Sequence, residues 1–333
     1  NATVSALPDA TVILNGNWEI EWSNRAAEEL LGIERARDTG LRIGNLMRDP
    51  DFDAALKKFK REINLELPSP VNAQVMIALR MVSYGKGKKL LTARDISQRV
   101  QLQRMRKAFV ANASHELRTP LTVIAGYLEI LEMDPDIPPH LTEAVTSASE
   151  QAGRMQRIIE DLLVLSRLEG TRLSRFSGDP VNVPVILRQI INDLQKTVSG
   201  KSHHFSLDLD EALSLRGNEA EIQSVCTNLI SNAVKYTPEG TTVDVRWYRN
   251  SAGHACLDIE DNGPGITAEH LPHLTERFYR VDAGRSREIG GTGLGLSIVK
   301  HVVQRYGGFL NIDSEPGQGE TFRSCFPEYR LMS

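Results

Sequence analysis

Ser114-His115-Glu116-Leu117-Arg118-Thr119-Pro120-Leu121 opens an apolar pattern that continues through Ile124, Leu128 and Leu131, with spacings alternating between four and three. That alternation is the seam of a coiled coil, so the segment from about Ile96 reads as one long helix. The breaker Asp134-Pro135-Asp136-Ile137-Pro138-Pro139 ends it. A second helix then carries Val145, Ala148, Ala152, Met155, Ile159 and Leu162 in the same rhythm. Two narrow stripes cannot close a core by themselves. Pairing two such hairpins about a two-fold axis does, which predicts a four-helix bundle and a homodimer.

With Leu117 and Leu121 on the seam, His115 falls outside the stripe, and Thr119 lies one turn further on the same exposed face. A neutral imidazole offers one ring nitrogen with a free lone pair for attack on a phosphorus atom. Glu116 is placed to hold or accept the proton of the other nitrogen. Pro120 removes the N–H that would bond the Glu116 carbonyl, so a bend is expected just beyond His115.

The chain has 333 residues, 41% hydrophobic and 25% charged, enough for two or three domains. A formal charge of -4 and a pI near 6.1 give no basic field that would attract nucleic acid. Cys226, Cys256 and Cys325 are scattered, odd in number and without C-x-x-C spacing, which argues against disulfides and zinc and for a reducing, cytoplasmic setting. No stretch reaches the roughly 18 apolar residues of a membrane span.

Residues 1–95 mix β-like runs (Thr11-Val12-Ile13-Leu14, Trp18-Glu19-Ile20-Glu21-Trp22 and Val75-Met76-Ile77-Ala78-Leu79) with a short helix that starts on Ser23-Asn24 and stops at Gly32. An α+β module is expected there. Residues 96–170 form the hairpin. A turn-rich linker from Glu169 to Pro180 leads to an α/β sandwich over residues 180–328.

In that last segment Ile222, Val225, Leu229 and Ala233 make a buried helical stripe, leaving Asn228, Asn232 and Lys235 together on another face. Asp261 follows the strand Ala255-Cys256-Leu257-Asp258-Ile259-Glu260 and opens the loop Asn262-Gly263-Pro264-Gly265. A carboxylate there can accept from the exocyclic amine of adenine, and Gly263 and Gly265 would let backbone approach base and ribose. Gly290-Gly291-Thr292-Gly293-Leu294-Gly295 precedes a helix, so backbone N–H groups and a helix N-terminus can meet phosphates. No Gly-Lys-Ser/Thr follows, so this is not a Walker loop. Between the two loops, Glu276-Arg277-Phe278-Tyr279-Arg280-Val281-Asp282 with Arg285 and Arg287 reads as a lid, with Arg280 as its phosphate contact.

The histidine run, Asn228…Asn232, Asp261-x-Gly263-x-Gly265 and Gly291-x-Gly293-x-Gly295, in this order, resemble the sensor histidine kinases of two-component signalling. The resemblance implies a PAS sensory domain at the N-terminus, on Leu7-Pro8-Asp9-Ala10 and Asn24-x-Ala26-Ala27-x-x-Leu30-Leu31-Gly32, and an ATPase domain of the GHKL type at the C-terminus. It implies autophosphorylation of His115 from Mg-ATP, with Asn232 as the Mg²⁺ ligand, Lys235 balancing phosphate charge, Tyr236 packing near the base or sugar, and transfer to an aspartate of a response regulator. Thr119 would then orient water when the kinase removes phosphate from that partner. The lid run from His273 to Arg280 and Tyr236-Thr237-Pro238-Glu239-Gly240 are most similar to the phosphate-regulon branch of that family, whose members imply a membrane anchor before Asn1 and a response regulator of the same regulon. Two alternatives stay open: a PAS module that mainly binds a signal, and a regulator dominated by phosphatase activity. No histidine precedes His115 and no cysteine precedes Cys226, so residues 1–95 hold no side chain for a histidine-ligated haem or a flavin–cysteine adduct.

Overall fold

The computed structural model describes residues 8–57, 59, 61–85, 87–168, 178–197, 203–281 and 291–332. The chain divides into two compact units, 1–106 and 107–333.

The first unit is an antiparallel sheet in the order β2-β1-β5-β4-β3, built from β1 (Ala10–Leu14), β2 (Ile20–Ser23), β3 (Glu62–Pro68), β4 (Met76–Tyr84) and β5 (Lys88–Asp95). Its connections hold α1 (Arg25–Leu31), the one-turn helices α2 (Arg35–Asp38) and α3 (Ile43–Leu46), and α4 (Pro50–Lys57). Strand alternation puts Val12, Leu14, Ile77, Leu79, Met81, Leu91 and Ala93 on one buried face, where Ala27, Leu31 and Phe52 of the helices cover them. The expected helix is bounded as its capping chemistry requires: the Asn24 side chain accepts from the Ala27 N–H, and Gly32 closes it in the left-handed region at φ 69°. Strands β3 and β5 are additions to the three runs that the sequence displayed.

Helix α5 (Ser97–Met133) carries Pro120 in its interior, and α6 (Pro139–Leu168) returns after the proline-rich turn. Leu121, Ala152, Ile159 and Leu163 form a small buried cluster, with Ala111, Ala125 and Leu128 against it. Much of the expected seam is uncovered: Leu117, Ile124 and Leu131 are 55%, 52% and 42% exposed, and Met155 is exposed as well, whereas Leu162 is half-buried against the C-terminal core.

The C-terminal part has a five-stranded sheet in the order β11-β12-β10-β9-β7, from β7 (His204–Leu209), β9 (Thr242–Arg249), β10 (Ala255–Asp261), β11 (Phe309–Glu315) and β12 (Gly319–Phe326). Only the β7–β9 pair in it is parallel. A three-stranded sheet joins β6 (Asp179–Val181), β8 (Ser214–Gly217) and β13 (Leu331–Met332). Glu169 to Ser177 of the expected linker lie outside the described residues, and Asp179 and Pro180 are already strand. Helices α7 (Val183–Thr197), α8 (Glu219–Tyr236) and α9 (Gly295–Arg305) lie against the inner face of the large sheet. Ile222, Val225, Leu229 and Ala233 are buried there with Val243, Val245, Trp247, Leu257, Ile259 and Phe322, so the predicted α8 stripe is the one that packs. Leu165 and Leu168, at the end of α6, join the same core.

The expectation of no disulfide is corrected. Cys256 and Cys325 are bonded, with Cα atoms 4.2 Å apart. They are 69 residues apart in sequence, so no local spacing announces the pair. The antiparallel pairing of β10 with β12 sets them opposite each other. On that same outer face Asp258, fully buried, accepts from Arg323 at 2.8 Å and faces Arg246 at 3.6 Å. Cys226 remains a free, buried thiol, pushed up to about 12 by burial.

Candidate functional site

Helix α8 supplies the floor of a cavity of about 920 Å³. Its buried stripe fixes the helix rotation, which turns Asn228, Asn232, Lys235 and Tyr236 toward the opening. Gly265 comes from the loop after β10, Tyr279 and Arg280 from the start of the lid, and Gly291, Thr292, Gly293 and Gly295 from the loop before α9. Four separate segments thus meet as the sequence predicted. Asp282, Arg285, Arg287 and Gly290 lie outside the described residues.

The glycine loop is held close to α8. A Cβ on Gly295 would meet the Asn228 Oδ1, so a larger residue there would displace the Asn228 amide from its place against α9. The Asn228 side-chain amide donates to the Ser224 carbonyl at 2.8 Å, one turn back along α8. Gly293 has φ +72°, and its carbonyl accepts from the Phe278 N–H at 2.9 Å. Phe278 itself is in the left-handed region at φ 63°, which few side chains adopt and which marks the start of the lid as a strained turn. Leu294 buries its side chain fully in the core, and its N–H donates to the Thr292 hydroxyl at 3.3 Å.

Asp261 ends β10. Its Oδ1 accepts from the Gly263 N–H at 2.9 Å, while its Oδ2 is buried with no hydrogen-bond partner. Burial lifts its carboxyl to about 6, with the Gly263 N–H pulling the other way. The empty Cβ positions of Gly263 and Gly265 face protein, namely Thr237 and Asp261 for the first and the Glu315 carbonyl for the second. Their glycines therefore serve loop packing first.

Sequence reasoning missed the contribution of α6. Arg157, Glu160 and Asp161 line the same cavity, and the Thr292 hydroxyl donates to Asp161 Oδ2 at 2.8 Å. Burial raises the Asp161 carboxyl above its ordinary value although the Thr292 bond opposes it. Burial also lowers the Lys235 ammonium, helped by the nearby Arg157 charge, while Asp161 raises it. Glu320 on β12 is a further buried lining residue. Strand alternation was the available signal for it, since Glu320, Phe322 and Phe326 share the inner face.

His115, Glu116 and Thr119 are exposed on α5 and do not line the cavity. The Thr119 hydroxyl points back along its helix toward the His115 carbonyl at 3.5 Å.

Residues 217–330 match the family described as histidine kinase-, DNA gyrase B- and HSP90-like ATPase, and residues 105–171 match the His Kinase A phospho-acceptor domain. The phosphate regulon sensor protein PhoR of Pseudomonas aeruginosa is 45% identical over 97% of this chain and 73% of its own length. That of Haemophilus influenzae is 32% identical over the whole chain and 77% of its own length. The chain is a sensor histidine kinase of the phosphate-regulon family. Among solved structures, full-length ShkA in complex with AMPPNP is similar at a TM-score of 0.55 and 26% identity, over 66% of this kinase and 45% of that chain. No described helix of the kinase is long and apolar enough to cross a membrane.

Proposed function

We propose that this kinase transfers the γ-phosphoryl group of Mg-ATP to His115 and then to an aspartate on the receiver domain of a phosphate-regulon response regulator. The observation that carries the donor half is the cavity in which amides, a lysine, an arginine and two glycine loops converge; Asp261, behind that wall and opposite the lining Glu320, keeps a buried carboxylate oxygen without a partner. That oxygen suits the exocyclic amine of adenine.

The imidazole of His115, exposed on its helix, attacks the γ-phosphorus; the bond to the β-phosphate oxygen breaks and ADP leaves. Glu116 holds the proton of the other ring nitrogen and can accept it as positive charge develops on the ring. Lys235, Arg280 and the N–H groups from Gly291 to Gly295 balance the phosphates. Among the described residues no cluster of three or more His, Cys, Asp or Glu could hold a metal ion. Asn232, facing the cavity, fits a Mg²⁺ that takes its other ligands from phosphate oxygens and water. The ion would neutralise charge on the transferring group.

The uncovered apolar face of α5 and α6 supports a homodimer in which a second hairpin completes the bundle. The antiparallel sheet and capped helix of the first unit support its reading as a PAS sensory domain, 1–95, ahead of the hairpin, 96–170, and the catalytic domain, 180–328. Thr119, one turn from His115, would orient water when the kinase removes phosphate from its partner.

Incubation with γ-labelled ATP and Mg²⁺ tests the core of this reading. Acid-labile, alkali-stable label that His115→Ala abolishes is the expected result. Label that survives His115→Ala would overturn the assignment.

A further inference from the structure

The inner face of the large sheet is mostly apolar, and at one end of it Asp261 and Glu320 lie directly opposite each other on β10 and β12. Opposed residues of adjacent strands have Cβ atoms about 4.5–5.5 Å apart, so the two carboxyl groups share one small region. Both are buried: Asp261 is 3% and Glu320 8% exposed. Glu320 lines the nucleotide cavity, and no described residue makes a hydrogen bond to its carboxyl. Two buried carboxylates side by side cannot both be charged at modest cost.

The groups around Glu320 are these. Asp261 faces it from β10, and the hydroxyl-bearing Ser314 is its neighbour on β11. Lys235 and Tyr236 of α8, Arg157, Glu160 and Asp161 of α6, and Tyr279 and Arg280 of the lid line the same cavity. Burial, followed by the Asp261 charge, lifts Glu320 to about 8. The Gly263 N–H stabilises an Asp261 anion and no donor meets Glu320, so the proton that the pair must share falls to Glu320, whose hydroxyl is then a donor without an acceptor.

Adenine presents on one edge an exocyclic amine that donates and, next to it, N1 that accepts. Asp261 supplies an acceptor and a protonated Glu320 supplies a donor. We propose that Glu320 is a specificity-determining residue of this pocket, donating its carboxyl proton to N1 of the purine while Asp261 accepts from the exocyclic amine. Guanine reverses both positions, setting O6 against a carboxylate and N1–H against a hydroxyl donor. The pair therefore rejects it twice. This assignment rests on the reading of the cavity as an ATP site.

Binding of ATP and of 1-deaza-ATP, in which a C–H replaces N1, is measured by calorimetry on the full chain and on Glu320→Ala and Glu320→Gln. The unsubstituted chain should favour ATP over the deaza analogue by about 10–100-fold. That preference should fall to within about threefold in Glu320→Ala and persist in Glu320→Gln, whose amide still donates. Raising the pH above about 8 should weaken ATP binding in the unsubstituted chain by up to about tenfold per unit relative to Glu320→Gln. Comparison with that variant removes any titration of Lys235. An equal preference in the unsubstituted chain and Glu320→Ala would overturn the inference while leaving the ATP site intact. Failure of the unsubstituted chain to bind ATP would overturn both.

Discussion

The two ends of the proposed phosphoryl path are built in opposite ways. The nucleotide cavity is walled by a sheet and three helices around one large core, and its ionisable groups are pushed away from their ordinary values by burial. The acceptor hairpin buries only a small cluster, and its histidine stands in solvent. A donor site must discriminate and hold one ligand, which a rigid, desolvated wall does well. An acceptor that must meet first a nucleotide and then a receiver domain gains from exposure. Its chemistry is supplied by what is brought to it.

This contrast predicts an asymmetry in mutants. His115→Ala should abolish labelling, by at least about a thousandfold, and leave ATP affinity within about twofold of the original. Asn232→Ala should lower labelling by about a hundredfold or more and weaken Mg-ATP binding as well. Binding calorimetry beside the labelling assay separates them. A His115→Ala chain that lost ATP binding would show that the two regions are not built independently.

Packing should follow the same division. Leu229 is fully buried in the large core, and Leu229→Ala should cost about 3–5 kcal/mol in denaturant unfolding. Leu121 belongs to the small cluster, and Leu121→Ala should cost about 1–2 kcal/mol while making the melting temperature more dependent on protein concentration. Equal costs would mean that the hairpin is as completely packed as the catalytic core.

Acidity offers a third way to sharpen the contrast. Asp261 and Glu320 are lifted to about 6 and about 8, whereas unfolded carboxyl groups ionise near 4. Between those values the folded state binds more protons than the unfolded one. Stability should therefore fall as pH rises from about 4 to about 8, then level off. Glu320→Gln should flatten the upper part of that slope and raise stability at pH 8 by on the order of 1–3 kcal/mol. Thermal melts across pH test it, and an unchanged slope would show that Glu320 is not the titrating group.

Much of the fold was legible because its signals are local. The break between α5 and α6, the cap at Asn24, the Gly32 stop and the α8 stripe each depend on residues within a few turns of one another. The approach of Asn228, Lys235 and Arg280 to one cavity was legible as well, since each sits in a run of recognisable spacing. Cys256–Cys325 and Asp261–Glu320 were not. Both pairs are fixed by the β10–β12 register, which joins residues about sixty to seventy positions apart and leaves no mark in either strand alone. Leu294 adds something that glycine spacing does not display: a large apolar side chain within the loop anchors it in the core.

Helix α6 is where the contrast between the two regions breaks down, because it belongs to both. Its Ala152 and Ile159 pack in the hairpin cluster, while Asp161 reaches the glycine loop and holds the Thr292 hydroxyl. If phosphates sit on that loop, an ionised Asp161 repels them across a poorly solvated cavity, and the bond to Thr292 competes with any donation from that hydroxyl to a phosphate oxygen. Asp161→Asn removes the charge and keeps an acceptor for Thr292, so ATP affinity should rise by about two- to fivefold at pH 7.5 with little change in melting temperature. Thr292→Val, which removes the hydroxyl from both partners, should abolish the ordering bond to α6 and narrow the gap between Asp161 and Asn at that position. Weaker ATP binding in Asp161→Asn would reverse the argument and make Asp161 part of the nucleotide site itself, with the hairpin supplying one wall of the pocket that it later empties.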